Sequence, residues 1–539
     1  MSFEDLIGSA NDVIWSLPLV GLCLLAGVYF SLRTAFLQVR CIPDMLSQLK
    51  RGEKSADGTS SLQSLMMSLA GRVGMGNIGG VATAIAFGGP GAVFWMWTVA
   101  FLGAATSFVE STLGQIYKEK DKDTGEYRGG PAYYFAKAYR HTNVGGALKV
   151  YAVLFAIVTV FATSYFLPGV QANGMAAAVH EAWGVPHWIV AIAMVITLAF
   201  IVIGGLKRIA AFAVLVVPVM AVIYIVMALI VFFVNFQQIP EVFGLIFSSA
   251  FGADAVFGAI IGLAIQWGVQ RGIYSNEAGQ GTGPHAAAAA EVSHPAKQGL
   301  VQAFAVYIDT LFVCSATAFI IISTDMFHVF SDGTENSDMI YTGKLAEDVA
   351  VGPAFVQNSF DTVFAGFGPT FVAIALGFFA FTTVVAYYYM AEVNTSFLVR
   401  GLKSSLVRRG AIRVVQGLIL VSVAYGAVAT TGAAWGLGDI GVGSMAWLNI
   451  IGILLLQGPA LKALKDYREQ KKAGLDPQFD PRKVGIRNAE FWELRADGLV
   501  KQGMTGEELA ARADAAGNSD ATGTADGPRR GHDGGSHSL

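Results

Sequence analysis

Residues 61–89 read SLQSLMMSLAGRVGMGNIGGVATAIAFGG, and residues 258–291 read GAIIGLAIQWGVQRGIYSNEAGQGTGPHAAAAAE. Each holds an apolar run long enough to cross roughly 30 Å of hydrocarbon as a helix, and each is crowded with glycine in its middle. In the first, Gly71, Gly74, Gly76, Gly79 and Gly80 surround Arg72 and Asn77. In the second, Gly268, Gly272, Gly279, Gly281 and Gly283 surround Arg271, Ser275, Asn276 and Glu277. Glycine is about 1 kcal/mol worse than alanine inside a helix, so such clusters signal either unwinding near the bilayer centre or close packing of helices through small residues. The first stretch alone leaves the two readings balanced. The second, with a polar triplet amid its glycines, tips both towards a break.

The rest of the chain has the same character. Of 539 residues, 54% are hydrophobic and 14% charged, against roughly 25% charged in a soluble domain. Apolar runs of roughly 20 residues recur, and in lipid only helices satisfy the backbone of such runs internally. The reading is an all-α polytopic membrane protein with about 11 transmembrane helices, near 13–36, 62–88, 91–116, 148–180, 187–206, 209–234, 255–282, 298–323, 365–398, 412–431 and 442–465. Cys23, Cys41 and Cys314 show no CxxC or metal-ligand spacing, which argues against a disulfide framework or zinc site. No basic patch interleaved with aromatics suggests nucleic acid.

Charge sets the expected orientation. Basic residues gather after every odd-numbered span: Arg40, Lys50, Arg51 and Lys54; Lys118 to Arg140; Lys207 and Arg208; Lys297; Arg400 to Arg413; and Lys462 to Lys472. The opposite loops are nearly bare of them, and the longest, about 324–363, is acidic. This places the N-terminus outside and the C-terminus in the cytoplasm of a plasma (inner) membrane protein. Residues 1–12, with Glu4 and Asp5 and no basic residue, read as an external N-terminus rather than a signal peptide.

If 13–36 is an extra helix, 62–234 and 255–465 form two sets of five spans, each opening on a glycine-interrupted helix. The two sets start on opposite sides, as inverted repeats require, and matched interruptions are the best sequence pointer to a transporter's binding site. The transmembrane domain is then 13–465. A cytoplasmic tail, 466–516, follows with a short helix at the capping-box spacing of Thr505 and Glu508. Residues 517–539, rich in Gly, Asp and Ser, should be disordered. Intramembrane polar residues are functional candidates by default. Glu110, Asp309 and Glu392 are weighed towards structural pairing, and Asn77 and Asn276 towards function.

Residues 74–97, 129–135, 271–281, 294–304, 308–317, 377–389 and 435–449 together resemble the alanine or glycine:cation symporter family, also called sodium:alanine symporters. The resemblance spans nearly the whole membrane domain. It implies a LeuT-type fold of five-plus-five inverted repeats with one extra N-terminal helix and two broken helices. It also implies sodium-coupled import of a small neutral amino acid, alanine or glycine, by alternating access. The matching positions for the amino acid are Gly76, Asn77, Gly79, Gly80 and Thr83; Gln171; Tyr274, Ser275, Asn276 and Gly279; and Thr383 and Tyr387. Those for sodium are Gly74, Thr382 and Thr383. The chain departs from the family pattern at Leu167-Pro168-Gly169, where Gly-Asn is usual, and at Ala386-Tyr387, where Gly-Trp is usual.

On this reading the free N–H groups of the half-helix beginning near Asn77 suit a carboxylate. Carbonyls of the preceding half-helix, with the hydroxyls of Thr382 and Thr383, suit a hard cation. Carbonyls at the second break and the amide of Gln171 would receive the ammonium, with Tyr274 and Tyr387 as pocket walls. A proton in place of sodium is the variant within this class. Outside it stand a channel or sensor that binds amino acid without coupled transport, and a membrane enzyme. Against the enzyme, there is no P-loop, HExxH or GxSxG arrangement, and His285 and His294 read as solvated or capping residues at a helix end.

Overall fold

The computed structural model describes residues 3–50, 58–122, 124–202, 205–500, 504–512 and 514. The tail 517–539, and Arg51 and Lys54 of the first basic loop, lie outside these. Among the described residues, seven helices are long and apolar enough to cross a membrane: Gly91–Ile116, Gly145–Trp183, Leu215–Val234, Pro295–Thr324, Gly368–Val399, Ser405–Val428 and Thr431–Leu456. Phe3–Ile14 and Leu17–Arg33, bent by 42°, make an eighth if taken together. The shorter His187–Val202 is also apolar. The two glycine-rich segments are broken into pieces and do not cross as single helices.

Two boundaries differ from expectation. Residues 1–12 read as a plain terminus, yet Phe3–Ile14 is a helix docked on the last long helix. Asn11 Nδ2 donates to the Gly436 carbonyl at 2.9 Å, and Trp15 Nε1 to that of Asp439 at 2.9 Å. The last span was expected at 442–465, but the helix runs Thr431–Leu456 and is followed by the separate helix Gly458–Lys472. Glycines and Asp439 made its first third look like a loop. The structure buries Asp439 against Arg271, so the charge lies inside a helix and costs less than an unpaired one would.

Helix Gly91–Ile116 is central, packed by Ile261–Asn276, Gly283–Ala289 and Pro295–Val306. Glycine makes this approach possible: a Cβ on Gly268 would lie 2.5 Å from the Ala92 carbonyl oxygen. Part of the glycine in the second stretch therefore serves packing. The ends of the two broken segments are tied by a short parallel bridge, Thr59 N–H donating to the Ala289 carbonyl and Glu291 N–H to that of Thr59, each at 2.8 Å. Between Pro295–Thr324 and Gly368–Val399 stand a hairpin, His328–Phe330 with Met339–Thr342, and helix Pro353–Asp361. Thr505 and Glu508 cap each other as expected, at 2.8 and 3.2 Å.

Candidate functional site

Helix Ser61–Arg72 opens on a capping box, Ser60 with Gln63. It stops at Val73, whose ψ of 97° is extended, and resumes as the π-helical turn Gly76–Gly80 and helix Val81–Gly88. The second segment runs Ile261–Asn276, reverses through 277–282 and resumes as Gly283–Ala289. Left-handed backbone at Gly279 (φ 87°) and Gly281 (φ 88°) makes that reversal, and Glu277 joins it at φ 57°. Glycine takes this conformation at no steric cost.

At the first break, two N–H groups freed from the helix meet side chains. Gly74 N–H donates to Asn77 Oδ1 at 2.8 Å, and Met75 N–H to Gln171 Oε1 at 2.9 Å. The Val73 carbonyl accepts from Thr383 Oγ1 at 3.2 Å. A Cβ on Gly74 would lie 2.5 Å from that hydroxyl and 2.8 Å from Gln171 Oε1, so only glycine lets the three elements converge.

The two breaks meet at Asp309, which lies in the π-helical stretch Tyr307–Cys314 and is fully buried. Its carboxylate accepts from Asn77 Nδ2 at 2.6 Å, Ser275 Oγ at 2.8 Å and Thr310 Oγ1 at 2.8 Å. Cys314 Sγ lies 3.3 Å from Asn77 Nδ2 and 3.2 Å from Ser275 Oγ. Asp309 is thus the hub joining two candidate residues. A lone aspartate in an apolar run was its only sequence signal, and nothing in the sequence marked Cys314.

Other candidates divide. Tyr274 lies against Gly76, its ring 5.2 Å from that of Trp435, and Gly80 faces Trp435 and Arg271. Tyr387 is 2% exposed. Thr83 and Thr382 spend their hydroxyls within their own helices, on the carbonyls of Gly79 (2.7 Å) and Phe379 (2.9 Å). Gly79 sits against Met75 and Pro353. Gly279 belongs to a separate cluster: its N–H donates to Glu110 at 3.3 Å, and Asn449 Nδ2 reaches both Glu110 (2.6 Å) and the Gly279 carbonyl (2.9 Å). Three buried polar atoms at the second break, Tyr274 Oη, Asn276 Nδ2 and Glu277 Oε1, have no hydrogen-bond partner among the described residues.

The charged residues pair separately. Arg271 meets Asp439 at 2.5 Å, under the rings of Trp267, Tyr274 and Trp435. Arg72 lies 3.9 Å from Glu277, which also accepts from Thr282 at 2.8 Å. Glu392 pairs with Arg128 at 2.9 Å. His294 caps the next helix as expected, accepting from Ala296 N–H at 3.1 Å. Neither histidine is solvated, however: both are buried, and His285 is held between the Thr282 carbonyl (3.0 Å) and Asn394 Nδ2 (2.8 Å).

Comparison with known proteins follows this geometry closely. Residues 1–481 match the model of the sodium:alanine symporter family. The Bacillus subtilis (strain 168) protein YrbD is 54% identical over 489 residues, 91% of this chain and 97% of that protein. The sodium/proton-dependent alanine carrier protein of Bacillus sp. (strain PS3) is 47% identical over 450 residues, 83% of this chain and 97% of its own length. The sodium/alanine symporter AgcS of Methanococcus maripaludis is 36% identical over 475 residues, 88% of this chain and 99% of its own length. Among solved structures, a Na+-coupled sialic acid symporter gives a TM-score of 0.45 at 13% identity, over 92% of this chain and 99% of that one, too loose a likeness to bear on the site. With both breaks and all the long helices up to Leu456 inside the matched region, this multi-pass membrane protein belongs to the sodium:alanine symporter family.

Proposed function

We propose that the chain imports a small neutral amino acid, alanine or glycine, together with sodium by alternating access. The observation that carries this reading is the cluster of unpartnered buried polar atoms at the second break, facing a first break whose N–H and carbonyl groups are held open by side chains. The amino acid lies between Gly76–Gly80 and Tyr274–Asn276, with Gln171 and Tyr387 beside it. Sodium, a cargo, takes oxygen from the Val73–Gly74 turn and from Thr383, with Thr382 next to it. Thr83 and Gly279 act from a distance through their own helix and turn.

In this proposal each broken segment counts as one span. Together with His187–Val202 and the eight long or bent spans they give the eleven of an extra helix plus two inverted sets of five. The N-terminus is outside and the tail from 466 onward is cytoplasmic. One inward positive charge gains about 2.3 kcal/mol per 100 mV, and a tenfold sodium gradient adds about 1.4 kcal/mol. That supports accumulation without ATP. The printed name of the Bacillus sp. (strain PS3) relative keeps the proton in view as an alternative or additional coupling ion.

The experiment is uptake of labelled alanine into liposomes holding the purified protein, under sodium, proton or potassium gradients. Accumulation driven by sodium, raised by an inside-negative potential and competed by glycine, supports the proposal. Accumulation following the proton gradient alone changes the ion. Binding without accumulation overturns transport in favour of a sensor.

A further inference from the structure

A cavity of about 650 Å³ lies away from both breaks, between the end of Gly368–Val399, the start of Ser405–Val428 and the 119–140 region. Eight basic side chains line it against four acidic ones. The acids are already engaged. Asp121 and Glu392 hold Arg128, each at 2.9 Å; Glu119 holds Lys137 at 2.6 Å; and Glu490 holds Arg140 at 2.8 Å. Arg409 and Arg413, both exposed, meet no carboxylate among the described residues. Arg409 touches only Ser405 of its own helix, at 3.3–3.4 Å. The cavity therefore carries surplus positive charge.

Its surroundings say what kind of anion fits. Leu406, Arg409 and Arg413 follow one another at helical spacing of three and four, on one face of a membrane-spanning helix. Leu406 is 76% exposed and Val414 63%, so the surface that continues from the arginines is apolar and turned outward, towards lipid. A soluble phosphate would use the charge but not that surface. An anionic lipid uses both, and basic pockets between membrane helices are suited to such headgroups.

We propose that this cavity binds the headgroup of an anionic phospholipid from the leaflet on its side. The phosphate is met by Arg409 and Arg413, and an acyl chain lies along Leu406 and Val414. Gly368–Val399 forms one wall near Arg400 and also carries Thr383 and Tyr387, so the bound lipid braces the helix that forms part of the proposed transport site.

The test uses the full chain in detergent, with lipid retention read by native mass spectrometry. Phosphatidylglycerol should be retained over phosphatidylcholine, and R409Q/R413Q should weaken that retention about tenfold. K403Q, an equal kind of charge loss in the same loop but outside the cavity, should retain it. Equal retention by R409Q/R413Q and the unsubstituted protein would overturn the proposal. So would displacement by soluble glycerol phosphate as effective as by added lipid, which marks a free-anion site. In vesicles, phosphatidylglycerol should speed alanine uptake by the unsubstituted protein but not by R409Q/R413Q, with their uptake equal in phosphatidylcholine alone. Because retention is read without transport, its failure is separable from failure of the transport proposal.

Discussion

Asn77 Nδ2 lies 2.6 Å from Asp309 Oδ1, so an amide at the first break and a carboxylate from a different helix share one hydrogen bond. Removing the donor leaves a fully buried carboxylate short of a partner, which costs about 1–3 kcal/mol. Asn77→Ala should lower the thermal midpoint in detergent and abolish sodium-driven alanine uptake, with protein still present in the membrane. Uptake at the unsubstituted rate would remove Asn77 from the site.

Thr383 and Thr382 are adjacent but not equivalent, since only Thr383 is seen to reach the Val73 carbonyl. Valine keeps the shape and drops the hydroxyl. Thr383→Val should raise the sodium concentration for half-maximal uptake by about tenfold or more, the loss of one ligand worth roughly 1.4 kcal/mol. Thr382→Val should shift it less. The pair of sodium titrations, compared directly, checks this order.

Tyr387 stands where the family usually has tryptophan, preceded by Ala386 where glycine is usual. Ala386 Cβ lies 3.6 Å from where a Cβ on Gly71 would stand, so the pair abuts the first broken segment. Restoring the usual residues with A386G/Y387W adds ring volume to the proposed pocket and takes away a methyl group behind it. The ratio of kcat/KM for alanine over glycine should fall. An unchanged ratio would place Tyr387 outside the substrate's reach.

Arg271→Gln strands Asp439 without its partner in a buried setting, at a cost of about 3–5 kcal/mol. Adding Asp439→Asn removes the stranded charge, so the double substitution should recover much of the lost thermal midpoint. Midpoints of the two single substitutions and the double, in one detergent, measure the coupling.

Glu291 fastens helix Glu490–Ala496 to the end of the second broken segment, through Arg495 at 2.5 Å. Burial alone would raise its pKa, but Lys118 and Arg495 outweigh it and hold the carboxyl below its ordinary value. A depressed carboxyl pKa stabilises above the unfolded value, near 4, and that contribution fades as pH falls through the lower folded value. Amide exchange across Glu490–Ala496 should therefore accelerate only in that acid window, and in Glu291→Gln should be fast throughout.

The two breaks were legible because glycine clusters have few other uses at mid-membrane, and the flanking spans because apolar length is a strong signal. What escaped shows where such reasoning thins. Residues 3–14 carry too little apolar length to read as a span, and their helix is specified by contacts with Gly436 and Asp439 more than four hundred positions away. Asp439 itself depressed the hydropathy of a real helix because its neutralising partner, Arg271, lies in another one. At the site, Asn77, Ser275 and Gln171 could be named from residue type and position. Asp309's role as the group that joins them depends on a three-helix meeting that no local pattern encodes.

The π-helical stretches Gly76–Gly80, Ala162–Phe166 and Tyr307–Cys314 act as phase shifters. Each α-helical residue advances the side-chain direction by about 100°, and a π turn holds a residue more than an α turn. Deleting a single residue from 307–314 would let the stretch straighten into ordinary helix, yet it would swing everything from Ser315 to Thr324 by about 100° relative to Pro295–Val306. Side chains such as Phe312 and Ala318, now sorted between outside and core, would trade environments. Insertions and deletions in these turns should therefore be far less tolerated than substitutions, because the helix would keep its composition and lose its angular bookkeeping.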